Sequence, residues 1–298
     1  MQWSVIIPTY NYGRFIERCL YSVLDQSGAD CEIVIVDDGS SDDTRTVVDA
    51  LAKDFPAGRL RYFYQDNKGP AAARNHGIGV ARGEFLWFLD SDDRLTADAF
   101  EHMRLAVACH PDGELFFGGY RSVAKDGKTT DKLPGPLSPD STVNFSRYLQ
   151  KGLKSLTTGA VVVKKDILAG IRFPEGIHIN EDVVFFGHLL ARCKTVAVSQ
   201  VVVEKIRHAD SLRDNMTRIE ETGLRSVDYL FDAVRLTPEQ MKLRSRYQAD
   251  RCLRLFRSYF LSGDYQQARS YYGQALQSCP GYLSKLGYLL KFLRCIGK

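Results

Sequence analysis

The stretch Phe85-Leu86-Trp87-Phe88-Leu89-Asp90-Ser91-Asp92-Asp93 passes from five apolar residues into three carboxylates within four positions. Glu84 to Leu89 reads as a strand, and so continuous an apolar run expects burial on both faces, as in a mostly parallel sheet flanked by helices. Similar runs at Trp3 to Ile7, Glu32 to Val36 and Leu60 to Tyr64 alternate with segments of helical periodicity, which is a βαβ rhythm and an α/β class. Phe15, Cys19, Leu20 and Val23 form one helical stripe, Ser41 precedes the acidic turn Asp42-Asp43, and Thr96 precedes a run through Ala106, so helices are expected after each. Ligands of such sheets bind outside the carboxyl ends of the strands. Pro8-Thr9-Tyr10-Asn11, Asp37-Asp38-Gly39-Ser40 and Asp90-Ser91-Asp92-Asp93 follow three of the strands and therefore share one edge.

Further along, Arg121 to Thr142 dissolves into Gly, Pro, Lys, Asp and Ser and reads as a long irregular connection. Order returns with a strand near Ala160 to Val163, a helix opening at Glu181 and a strand Val196 to Val203. From Ser211 helix formers dominate, giving an expected α/β domain over 1–210 and an all-helical region over 211–298. Within the latter, Gly263, Tyr265, Ala268, Tyr272, Ala275, Leu276 and Pro280 are spaced in a way that resembles one tetratricopeptide repeat, implying two packed helices. A single repeat cannot form a solenoid, so packing is expected of it rather than a peptide-binding groove.

Composition narrows the class. With 298 residues, 44% hydrophobic and 26% charged, the chain falls among soluble globular proteins rather than disordered or membrane-spanning ones. A net charge of +4 is too small to imply nucleic-acid binding. The excess sits in the last eighteen residues, which contain Lys285, Lys291, Arg294 and Lys298 and no acid. Leu283, Leu286, Leu290 and Leu293 in that tail can share one helical face, so an anionic membrane surface is a candidate partner. Seven dispersed cysteines without a CxxC pair provide neither a disulfide framework nor zinc spacing and favour a reducing compartment. No secretory signal or membrane-length apolar run is visible. The expectation is a cytoplasmic protein, peripheral at the inner face of the membrane.

The acidic turns carry the chemistry. Asp90, Asp92 and Asp93 repel one another unless a cation compensates, and hard oxygen ligands suit Mg²⁺ or Mn²⁺, which also takes ligands from substrate phosphates. A solvated turn capping the next helix would account for the four residues alone equally well; their place at a strand end favours the metal. Asp37 and Asp38 can accept hydrogen bonds from a ribose or a base N–H, although Ser40 to Asp43 also read as the start of a helix. Pro8, Thr9, Tyr10 and Asn11 suit stacking on a base, or are a bare turn. Arg74, on the small-residue helix of GPAAARNHGIGVARG, can reach a phosphate through its fixed paired donors, or is a surface cation. Glu181 and Asp182 open the helix of VVFFGHLL, where capping is the plainer explanation.

In order and spacing, IIPTYN, VIVDDGSSDDT, NKGPAAARNHGI, GEFLWFLDSDD and NEDVVFF resemble the family 2 glycosyltransferases, nucleotide-diphospho-sugar enzymes of the GT-A fold, from about Trp3 to about Ser211. The resemblance implies a metal-binding Asp-x-Asp motif at Asp90 and Asp92, with Ser91 and Asp93 beside them at the nucleotide. It implies a Glu-Asp pair at Glu181 and Asp182, with Asp182 as general base, and nucleoside contacts at Thr9, Tyr10 and Asp38. His208, in RHADS, is similar to a late His-x-x-Ser element and becomes a candidate for metal or phosphate. The Gln-x-x-Arg-Trp segment of processive members is not found after the Glu-Asp helix. Together these imply an inverting, metal-dependent transfer of a single sugar, from a nucleotide-diphospho-sugar carried on UDP to a glycan or lipid-linked acceptor in cell-surface polysaccharide or lipopolysaccharide assembly. A sugar nucleotidyltransferase and a catalytically inactive nucleotide-binding interaction protein are the competing readings. The first expects a Gly-rich basic loop where PTYNYG stands; the second has no need for metal ligands and a base together.

Overall fold

The structure is a computed structural model and describes residues 2–26, 28, 30–153, 155–177, 179–207 and 220–296. The chain divides into two compact units, Met1–Gly176 with Glu181–Ser211, and Ile177–Asn180 with Leu212–Lys298.

The first unit is built on a nine-stranded mixed sheet. Its strands are β1 (Trp3–Thr9), β2 (Cys31–Asp37), β3 (Leu60–Tyr64), β4 (Phe85–Phe88), β5 (Arg94–Leu95), β6 (Leu115–Val123), β7 (Thr129–Lys132), β8 (Val161–Lys164) and β9 (Thr195–Ile206). They lie in the order β3-β2-β1-β4-β8-β6-β9-β5, with β7 paired to β6. Parallel pairing holds along β3-β2-β1-β4 and again between β6 and β9, whereas β8 runs antiparallel to both β4 and β6. Both faces are covered, as the apolar runs require. On one face Trp3, Val5, Ile7, Ile33, Ile35 and Trp87 pack with Ile16, Cys19, Leu20 and Val23 of α1 (Gly13–Leu24) and with Phe100 and Met103 of α4 (Ala99–Cys109). The alternate residues Ile6, Val34, Val36, Leu86 and Phe88 pack on the other face with α3 (Pro70–Val80) and α6 (Glu181–Arg192). Helix α3 lies so close that a Cβ at Gly77 would come within 2.3 Å of Ile6 Cγ2, which explains its run of small residues. That approach carries Arg74 to the sheet.

Two helix starts differ from expectation. α2 (Thr44–Leu51) begins after Asp43 rather than at Ser41, because the Ser41 and Asp42 amides donate to Asn11 Oδ1 at 2.8 and 3.2 Å and draw that segment toward the β1 loop. α4 begins at Ala99 because Thr96 stays against β9, its hydroxyl donating to the Val201 carbonyl at 2.9 Å. Of the irregular connection expected over Arg121 to Thr142, residues 133–140 are irregular, while the rest includes the end of β6, the hairpin strand β7 and the start of α5 (Ser141–Leu149). At Gly118 and Gly119 the register of β6 shifts, and a Cβ would meet Val202 at 2.7 Å or Leu133 at 2.8 Å, so the glycines mark a bulge in the strand.

In the second unit α7 (Arg225–Leu230) and α8 (Pro238–Met241) precede α9 (Arg244–Ser262), α10 (Tyr265–Ser278) and α11 (Leu286–Ile296). Gly263 takes the left-handed conformation, φ 85°, between α9 and α10. This is the usual way for a helix to stop and turn. Phe256, Tyr259, Ala268, Tyr272 and Ala275 are buried between the pair, and Phe292 of α11 stacks on Tyr272 at 4.4 Å. The opposite side of α11 leaves Leu286, Leu290, Leu293 and Ile296 exposed, and Leu283 just before it is exposed as well.

Candidate active site

The three polar strand ends lie at the carboxyl edge of β1, β2 and β4, as parallel pairing demands. Asn11, in the left-handed region at φ 55°, ties the first loop to the second: besides its side-chain bonds to Ser41 and Asp42, its amide donates to Ser40 Oγ at 2.9 Å. Pro8 and Thr9 close β1, and the buried Thr9 hydroxyl has no hydrogen-bond partner. Tyr10 is about half exposed beside them. Asp37 and Asp38 are buried. Asp37 accepts from the Ser40 amide at 2.8 Å and from the Tyr62 hydroxyl. Asp38 accepts from Gln65 Nε2 at 2.8 Å and from the Lys68 and Gly69 amides at 2.9 and 2.7 Å. These carboxylates thus shape the loop that leads into α3, a task no spacing argument had given them.

After β4, Asp90, Asp92 and Asp93 bring one carboxylate oxygen each within 4.8 Å of one another. Ser91 and Asp93 are buried, and the Asp92 carbonyl accepts from Arg18 Nη2 at 2.6 Å, which fixes the turn. Asp90 is the most heavily bonded: Oδ1 accepts from Arg74 Nη2 at 2.9 Å and Oδ2 from the Thr158 hydroxyl at 2.7 Å. Burial opposes its ionisation, but Arg74, Lys205 and Thr158 together hold it well below the usual carboxylate range. Asp93 is the reverse case. Burial, aided by Asp92 and Asp90, pushes it up to about 7 against the pull of Lys205. Its Oδ1 accepts from the Ile206 amide at 3.2 Å, while its buried Oδ2 has no hydrogen-bond partner. A cluster of hard oxygens with an unsatisfied buried member fits a divalent cation.

Arg74 links this cluster to the Glu-Asp pair. Its guanidinium is buried, donates to Glu181 Oε1 at 3.1 Å through Nη1, and lies over the Phe173 ring at 5.2 Å. The residue expected to reach for a phosphate is committed to two carboxylates. Glu181 is pushed up to about 7 by burial and by Asp182, with Arg74 opposing. Asp182, beside it in the first turn of α6, is part-buried and accepts only a short-range bond, from the Val183 amide at 2.8 Å to Oδ1, among those described. His208 lies outside the described residues.

Two residues at the cluster were missed by sequence reading. Thr158 precedes β8, and because β8 runs antiparallel to β4 its start lies beyond the β4 end; the Gly159 amide donates to the Phe88 carbonyl at 2.6 Å. Lys205, in β9, places Nζ 3.3 Å from Asp93 Oδ2 and 3.7 Å from Asp90 Oδ2. The available signal was strand alternation: Lys205 shares a face with buried Val203, but the expected strand stopped at Val203.

The model of the family described as Glycosyl transferase family 2 matches residues 4–170. The GalNAc(5)-diNAcBac-PP-undecaprenol beta-1,3-glucosyltransferase of Campylobacter jejuni is 34% identical over 181 residues, 60% of this chain and 56% of the relative's length. The putative teichuronic acid biosynthesis glycosyltransferase TuaG of Bacillus subtilis is 39% identical over 189 residues, 63% of this chain and 72% of its own. The crystal structure of S. aureus TarS 1-349 in complex with UDP superposes with a TM-score of 0.68 at 19% identity, over 99% of this chain and 89% of that one; a second, in complex with UDP-GlcNAc, gives 0.67 at 20% with the same coverage. The TarS likeness shows the shared fold, that of a GT-A domain with a helical C-terminal region.

Proposed function

Because the chain belongs to glycosyl transferase family 2 and is a glycosyltransferase, we propose that it transfers one sugar, with inversion, from a UDP-sugar to a hydroxyl of a glycan or lipid-linked acceptor in cell-surface polysaccharide assembly. The observation that carries this reading is the single buried guanidinium of Arg74, which spans Asp90 of the acidic cluster and Glu181 of the Glu-Asp pair. Donor site and base are thereby held in one frame. Asp90, Asp92 and Asp93 are the residues that would hold Mn²⁺ or Mg²⁺, which when bound supplies positive charge to the leaving diphosphate. Asp182 takes the proton from the acceptor hydroxyl as that oxygen attacks the anomeric carbon, and the nucleoside diphosphate departs from the opposite face. Glu181, paired with Arg74, fixes the first turn of α6. Thr9, Tyr10, Asn11, Asp37 and Asp38 form the nucleoside end, where the buried Thr9 hydroxyl has no hydrogen-bond partner. The TarS complexes with UDP and UDP-GlcNAc support a uridine carrier, and the printed name of the Campylobacter relative supports a lipid-linked acceptor.

Calorimetry with UDP, GDP and dTDP, each with and without Mn²⁺, tests the donor assignment. UDP is expected to bind most tightly and only with the metal; tighter GDP binding, or binding indifferent to metal, overturns it.

The helix pair α9 and α10 is read as a packing unit, and α11 as a peripheral contact with the inner face of an anionic membrane. No helix among the described residues is long and apolar enough to cross a membrane. One side of α11 is buried through Phe292 and Cys295, while Leu286, Leu290 and Leu293 stand exposed on the other. Lys291 lies 5.9 Å from the Tyr288 ring centroid, and Lys285 pairs with Asp250 at 2.9 Å; Lys298 lies outside the described residues. An exposed apolar stripe among cations suits the headgroup boundary of an anionic bilayer. Vesicle sedimentation is expected to show binding that weakens in salt and disappears in a Leu286→Ser, Leu290→Ser, Leu293→Ser triple variant; undiminished binding by that variant places the contact elsewhere.

A further inference from the structure

We propose that Lys205 is the internal counter-cation of the acidic cluster, displaced by the divalent ion and turned onto the donor's diphosphate when the site loads. The inference rests on the metal-dependent donor reading above and adds to it a residue and an exchange. Three carboxylates within 4.8 Å of one another repel unless a cation lies among them. Arg74 does so for Asp90 at 2.9 Å, and Lys205 does so on the Asp93 side: Nζ lies 3.3 Å from Asp93 Oδ2, 3.7 Å from Asp90 Oδ2 and 3.2 Å from the Thr157 hydroxyl, which it can use as an acceptor.

The contacts of Lys205 with the two carboxylates are long ones. Both carboxylate distances exceed the roughly 2.7–2.9 Å of a strong charge-assisted bond. Asp90 already has Arg74 on one oxygen and Thr158 on the other, so it keeps its bonds if Lys205 leaves. Asp93 Oδ2 has no hydrogen-bond partner even with the ammonium nearby. A divalent ion on these same oxygens meets the ammonium as a like charge at short range, in a site where the lysine side chain is only 16% exposed. The ammonium must then move, and its flexible four-carbon stem allows it. The anion that arrives with the ion is the donor's diphosphate, whose oxygens offer the ammonium better acceptors than the metal-bound carboxylates. Arg74 is less free to take this part, since its two terminal nitrogens are anchored on Asp90 and Glu181 and only its buried Nε lacks a partner.

The test compares wild type with Lys205→Met, which keeps the stem and removes the charge. Nucleotide-free Lys205→Met is expected to bind Mn²⁺ about tenfold more tightly than wild type, a modest share of the repulsion between like charges about 4 Å apart. In saturating Mn²⁺ it is expected to bind UDP about tenfold more weakly, the loss of a charge-assisted contact, with UMP affinity unchanged. A second measurement needs no variant: reductive methylation of the wild-type protein, read at Lys205 by mass spectrometry, is expected to accelerate with Mn²⁺ and slow again with UDP. Unchanged or weaker Mn²⁺ binding by the variant, or Lys205 reactivity indifferent to Mn²⁺, overturns the proposal. If wild type shows Mn²⁺-dependent UDP binding and Lys205 fails these tests, the exchange alone falls. If wild type binds no UDP with Mn²⁺, the donor reading falls and takes the exchange with it.

Discussion

Asp182→Asn is expected to preserve the fold, Mn²⁺ binding and UDP affinity while lowering sugar transfer by roughly 100-fold to 10,000-fold, the range of a lost general base. The substitution separates chemistry from capping unusually well. In the structure Asp182 Oδ1 accepts from the Val183 amide at 2.8 Å, and an asparagine carbonyl oxygen can accept the same bond, so a residue that only caps α6 loses almost nothing. A base loses the ability to take a proton. Asp92→Asn should behave differently, weakening metal-dependent UDP binding as well as turnover, because it offers the cation one fewer anionic ligand before any bond is broken. Single-turnover transfer at saturating donor and acceptor is the deciding measurement for Asp182. Near-normal transfer by Asp182→Asn removes Asp182 from the mechanism and turns attention to Glu181, whose carboxyl burial pushes up to about 7.

What could be read in the sequence, and what could not, follows from which interactions are local. β1, β2 and β4 are apolar runs with both faces buried, so their composition announces them, β3 is a part-buried edge strand marked by its aromatic residues, and the acids after β2 and β4 follow from strand ends alone. β7 is exposed at all four residues, polar, and held only by pairing with β6, so nothing in its own composition marks it as a strand. The same limit applies at the site. Asp90, Asp92 and Asp93 are adjacent in sequence and legible together, whereas Thr158 and Lys205 reach them only because β8 lies beside β4 and β9 returns past β5. No spacing rule links residue 90 to residue 158 or 205; the order of strands does. Arg74 was visible as a cation on a helix of small residues, but the identity of its partners required knowing that α3 and α6 cover the same face of the sheet.

Those partners make Arg74 the residue whose loss should disturb the molecule most. Its side chain is 7% exposed and carries two ion pairs, to Asp90 at 2.9 Å and Glu181 at 3.1 Å, whose own side chains are 23% and 13% exposed. Replacing a buried pair as a whole can be nearly neutral, but deleting one member leaves the others charged and unsolvated, typically at a cost of about 3–5 kcal/mol. Arg74→Met, similar in length and apolar, should therefore lower unfolding stability by about 3 kcal/mol or more, because it removes the one cation shared by Asp90 and Glu181. Arg74→Lys keeps the charge but offers a point donor in place of a planar fork. An ammonium can satisfy Asp90 or Glu181 at these distances far better than it can satisfy both, so this variant should fold with a smaller loss of stability and still transfer poorly. Denaturant unfolding of the two variants, paired with single-turnover transfer, decides the matter. If Arg74→Met unfolds at the wild-type midpoint, the guanidinium is not what holds the two carboxylates together. If Arg74→Lys transfers at the wild-type rate, a single positive charge suffices and the fork geometry has no bearing on the reaction.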